Sequence, residues 1–249
     1  MSAADRPLLE IAANSVASAL AAQAGGADRI ELCENLGEGG TTPSHGTLAV
    51  VRERLRIPVY VLIRPRGGDF LYDDAEFETM RRDIEHCVRL GCDGVVIGAL
   101  DADGAIDMPR CRDLIAAAGP IGVTFHRAFD AARDQTEALQ AVIALGCERV
   151  LTSGAAADAL SGASNIAALA KGAGQGLRIM AGAGITADNI GLIAERSGAH
   201  EFHASARALH RSAMRFRQSG LQGLEPDRMQ TDVERVRALM VALKRVPRS

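Results

Sequence analysis

Tryptophan is absent from this chain and aromatic residues make up only 3% of it. A base-stacking surface or a methyl-lysine cage needs several such rings, so both are excluded. Net charge is −3, and no Lys/Arg-rich block precedes the C-terminus. A nucleic-acid partner, which must be met with clustered positive charge, is therefore not expected. No apolar run approaches the ~18 residues of a membrane span. No charged segment leads into an apolar one near the start, so the expected location is the cytoplasm, away from any membrane. Five cysteines, an odd number without framework spacing, suit free thiols in a reducing compartment.

A hydrophobic content of 47% over 249 residues allows a large core. Short apolar runs recur in a fixed order with helical stretches and glycine turns. Leu8–Ala12 comes first, followed by a helical pattern from Ser15 that Gly25-Gly26 stops. Arg29–Cys33, Val59–Arg64, Gly94–Gly98, Val123–His126, Arg149–Gly154, Leu177–Gly182 and Glu201–Ser205 repeat that grammar. Eight such units at roughly 20- to 35-residue intervals are βα units. With no linker between them, they predict one (β/α)8 TIM barrel over about residues 8–210. An open doubly wound sheet is the alternative, but a glycine-rich nucleotide loop would be expected after its first strand, and Glu10–Ser15 is not one. From about Arg211 the pattern changes to an extended arm that includes the 220–223 stretch. A helix over Asp232–Lys244 is read as a surface helix closing the barrel, within a single 1–249 domain.

Val123–Asp130 is the most informative stretch: an apolar strand that ends in His126, Arg127 and Asp130. Ionisable groups belong where a strand opens into a loop, because an unpaired polar group in the core is costly. Strand alternation groups Glu10 with Ala12, Glu31 with Cys33, and Glu201 with His203 and Ser205. Glu10, Glu31, Arg64, His126, Thr152 and His203 then converge at one mouth. Glu10 or Glu31 would serve as general base and His126 or His203 as acid, with Arg64 and Arg66 clamping an anionic substrate. Arg127, Asp130, Thr152 and Ser153 would add contacts, the bland reading of Arg127 and Asp130 being a salt-bridge knot. Gly182 and Gly184 after the seventh strand, with Ser205 and Arg207 after the eighth, form the place where many barrels bind phosphate. No lysine stands at a strand end, which argues against a Schiff-base aldolase.

Glu31-Leu32-Cys33, Gly39–Ser44, Ile63–Phe70, Thr124–Asp130, Leu151–Gly154 and Met180–Gly184 together closely resemble the CutC family of copper homeostasis proteins. The resemblance implies a cytoplasmic TIM barrel, commonly a homodimer or larger oligomer, with a role in copper tolerance. Acid/base chemistry at the mouth requires no cofactor; copper is what the resemblance adds. Cu(I) prefers thiolate ligands. Cys33, with His45 or His126, is the candidate metal ligand, while Ala12 stands where many members have a cysteine. Cys87, Cys92, Cys111 and Cys147 read as small core residues.

Overall fold

The computed structural model describes residues 6–218, 220–221 and 224–246. Residues 219, 222 and 223 of the predicted arm, and both ends of the predicted domain, lie outside these. Eight strands close into an all-parallel barrel: β1 (Leu8–Ala13), β2 (Arg29–Leu32), β3 (Val59–Leu62), β4 (Gly94–Ile97), β5 (Gly122–Phe125), β6 (Arg149–Thr152), β7 (Arg178–Gly182) and β8 (Glu201–Ala204). Helices α1 (Val16–Gly25), α2 (His45–Arg54), α3 (Asp74–Arg89), α4 (Met108–Ala118), α5 (Gln135–Leu145), α6 (Ala163–Ala173) and α7 (Ile190–Ser197) occupy the seven crossovers. Local chemistry marks their ends. Ser15 caps α1 by accepting from the Ser18 N–H, and Asp73 opens α3 with a reciprocal capping box to Glu76.

The two faces of each strand do different work. Leu9, Ile11, Ile30, Leu32, Val61, Val95, Ile97, Phe125, Val150 and Phe202 point to the helix layer and form one continuous buried cluster with it. Each such side chain contributes about 1.5–3 kcal/mol on burial. The axial face is unusually polar: Glu10, Arg29, Glu31, Arg64, Thr124, His126, Arg149 and Glu201 are all buried.

After β8 the chain forms an antiparallel ribbon rather than a plain extended arm, pairing β9 (Arg207–His210) with β10 (Arg228–Thr231). Helix α8 (Val233–Leu243) then returns to pack on α1 and α7, burying Val236, Leu239 and Leu243. Its approach to α1 is so close that a Cβ on Gly25 would lie 2.5 Å from Val236. Among the described residues no helix is long and apolar enough to cross a membrane.

Candidate functional site

The bottom of the barrel is built around Tyr60. Gly94 and Gly122 leave space for its ring: a Cβ on either would stand 2.2 or 2.3 Å from it. Arg29 and Arg149 lie over the ring at 5.0 and 4.9 Å, and the phenol donates to Glu148 at 2.7 Å. Both guanidiniums reach Glu201 at 2.9 Å, and Arg29 also holds Glu10. Buried ions survive only when paired, and here two arginines neutralise two carboxylates. Arg29, Arg149 and Tyr60 went unrecognised in the sequence because they sit at strand starts, where a lone polar residue reads as a strand boundary.

Above this pair of ion pairs stand His203 and Glu31. His203 Nδ1 lies 2.8 Å from Glu10 Oε1, and its Nε2 lies 3.8 Å from Glu31 Oε2. Burial alone would lower the imidazole, but Glu31 and the bond to Glu10 outweigh it and leave His203 above its ordinary value. Burial, with the Glu10 charge adding to it, pushes Glu31 up to about 7 against the pull of His203 and Arg29. Glu10 moves the opposite way: burial opposes ionisation, yet Arg29 and His203 overcome it and hold the carboxyl well below its usual range. Arg29 and Arg149 thus offset Glu10 and Glu201 below, while His203 and Glu31, both shifted upward, face each other above them.

Both line a cavity of about 760 Å³ at the C-terminal ends of the strands, within the usual size of a small-molecule site. Arg64, His126, Gly184, Ser205 and Arg207 line it too. Arg64 is anchored through its terminal nitrogens to the carbonyls of Glu38, Gly40 and Gly68 and packs 5.1 Å over Phe70. Three nitrogens around the cavity, Arg64 Nε, His126 Nε2 and Arg207 Nε, are buried without a hydrogen-bond partner among the described residues. Orphaned buried donors are rare and call for a ligand.

Other expected residues lie elsewhere. Glu10 sits beneath the cavity rather than on its wall. Arg66 turns away to Glu76 and Asp69, because a clamp with Arg64 would forfeit those ion pairs. Thr152 falls one position out of phase: Arg149 and Leu151 take the axial face of β6, and the Thr152 hydroxyl donates to Asp130. Asp130 also accepts from the Ser153 and Ala155 N–H groups and pairs with Arg127 at 2.8 Å. Arg127, Asp130, Thr152 and Ser153 are thus a knot joining two loops, with Arg127 and Asp130 also on the cavity wall. Gly182 serves packing, since a Cβ there would meet Leu151 at 2.5 Å. Gly184 has φ +69°, which favours glycine.

Cys33 is fully buried beside Tyr60, Leu62 and Val96, with its thiol donating to the Ala13 carbonyl at 3.8 Å. Burial and then the Glu31 charge raise that thiol well above its ordinary value, so the thiolate that Cu(I) requires is disfavoured. The only group of three or more potential metal-ligating side chains among the described residues is Glu10, Glu31 and His203. Two carboxylates and an imidazole are a hard donor set, and Glu10 is already committed to Arg29 and His203. These residues fit an ion-pair cluster better than a Cu(I) site. The other four cysteines are buried core residues.

The geometry has named counterparts. A "family protein CutC" of Xanthomonas campestris is 58% identical over 236 residues, covering 95% of this chain and 98% of the relative. A human protein named "Copper homeostasis protein cutC homolog" is 49% identical over 250 residues, covering 98% and 92%. The solved CutC structure from Streptococcus agalactiae superposes with a TM-score of 0.77 at 34% identity, covering 80% of this chain and 98% of that one. The model of the CutC family matches residues 7–208, the whole barrel from β1 into β9, and the chain belongs to that family.

Proposed function

We propose that the barrel mouth is the active site of an acid/base enzyme acting on a small anionic molecule, without need of a metal. The observation that carries this reading is the placement of His203, 2.8 Å from Glu10 and 3.8 Å from Glu31, on a cavity wall that Glu31 shares and that also bears arginine nitrogens without a partner among the described residues. Glu31, poised near neutrality, is the base and His203 the acid; each proton transfer of this kind is typically worth about 10²–10⁴-fold. Arg64 and Arg207 hold the substrate's negative charge, with the Gly184 loop and Ser205 beside them. The test is a thermal-shift screen with phosphate, sulfate, sugar phosphates and dicarboxylates. A ligand at 100 times its Kd stabilises by about 2.7 kcal/mol, or roughly 5–10 °C in Tm for a chain of this size. Arg207→Ala and Gly184→Val are expected to abolish the shift. A panel without effect, or equal shifts in both variants, would overturn the reading.

Copper handling, carried in the names of the relatives, is the competing function. It would need Cys33 as a thiolate, against the burial that keeps it protonated. Copper retained after loading with Cu(I) and dialysis is therefore expected to be the same in Cys33→Ser as in the parent. Stoichiometric copper lost on this substitution alone would favour copper binding over catalysis. The exposed apolar side chains of the arm, among them Leu209, Phe216, Leu224 and Met229, support the further expectation of a homodimer.

A further inference from the structure

His126 was expected to be a candidate acid, yet its surroundings assign it a different task. It caps the short 3-10 turn over Arg127–Phe129, its Nδ1 accepting the Ala128 N–H at 3.1 Å. A nitrogen that accepts a backbone N–H carries a lone pair, so the ring proton of the neutral imidazole must sit on Nε2. The ring is pressed on Gly98, where a Cβ would lie 2.6 Å from Nδ1, and it meets Phe70 at a centroid distance of 5.1 Å. It is 4% exposed and lines the cavity, and Nε2 has no partner among the described residues. Arg64, 5% exposed and on the same wall, has no hydrogen-bond partner at Nε among the described residues, with the Tyr72 hydroxyl beside its guanidinium. Burial, and after it the Arg64 charge, lowers the imidazole to about 3, which agrees with a ring that stays neutral.

We propose that His126 Nε2–H and Arg64 Nε–H are a preorganised donor pair for a developing oxyanion, and that the substrate is an anionic 2-hydroxy carbonyl compound. This rests on the acid/base reading of the mouth and names its reaction. Glu31 takes the proton from the carbon beside the carbonyl. The C–H electron pair becomes a C=C bond, and the carbonyl π pair moves onto oxygen, where the two donors meet it. His203 moves the hydroxyl proton from one oxygen to the other, and Glu31 returns its proton to the neighbouring carbon. The product is the isomeric hydroxy carbonyl compound, and no oxidant, reductant or co-reactant is consumed.

Oxalate, a planar dianion shaped like the ene-diolate, is the probe. In the full chain labelled with ¹⁵N-histidine, long-range proton–nitrogen spectra should show His126 protonated on Nε2 alone from pH 5 to 9. Oxalate should shift that resonance. Titration calorimetry should show oxalate binding weakened about 10–100-fold in His126→Phe, the loss of one hydrogen bond to a charged group. His126→Gln, whose amide can donate, should recover most of it. A His126 that titrates in this range or carries its proton on Nδ1, a parent that does not bind oxalate, or a His126→Phe variant that binds like the parent would each overturn the proposal. The base fails separately: the parent and Glu31→Gln can share one pH profile of stability while oxalate still binds through His126.

Discussion

Replacing Arg29 by alanine is expected to destabilise the fold by about 3–5 kcal/mol, the usual cost of removing one partner from a buried ion pair. For a chain of this length that lowers Tm by roughly 6–20 °C. Arg29 is buried between Glu10 and Glu201. Glu201 would keep Arg149 and Arg178, but Glu10, wholly buried, would keep only His203. Its uncompensated charge is the main penalty, so Arg29→Met combined with Glu10→Met should recover much of the loss. Chemical denaturation of the parent and the two variants measures this directly. A loss below about 1 kcal/mol for Arg29→Ala would mean that water reaches the barrel floor.

The pH dependence of stability is expected to fall on the neutral side, and to flatten when Glu31 becomes glutamine. Glu31 binds its proton more tightly in the folded chain, at about 7 against an ordinary 4.5. Its contribution is fully present below about 4.5 and is lost as pH rises through about 7. The shift corresponds to roughly 3 kcal/mol. His203, also raised, acts in the same direction. Glu10 and Glu201, both lowered, act in the opposite one: their contributions are present above 4.5 and disappear in acid. Denaturant unfolding at pH 5 and pH 8 separates these effects. The parent should lose about 3 kcal/mol more between the two than Glu31→Gln does. Identical profiles would put the Glu31 proton in the ordinary carboxylate range and leave the mouth without its base.

The alternation of apolar runs and helical stretches, with glycine at the turns, determined the βα order, because period and turn chemistry are local properties. It also determined that Glu31, Arg64, His126, His203, Ser205 and Arg207 stand at strand ends, where loops open. Closure decided the rest. His203 meets Glu10 only because β8 pairs with β1, elements 193 positions apart. No local pattern reveals that Arg29, Arg149 and Glu201, from β2, β6 and β8, share one layer at the barrel floor, since alternation gives a face and not a height. The phase of β6 was decided in the same way, with Asp130 drawing Thr152 to the helix side. The role of His126 depended on a single backbone N–H. The turn after β5 presents Ala128 to Nδ1 and so leaves the ring proton on the nitrogen that has no partner among the described residues.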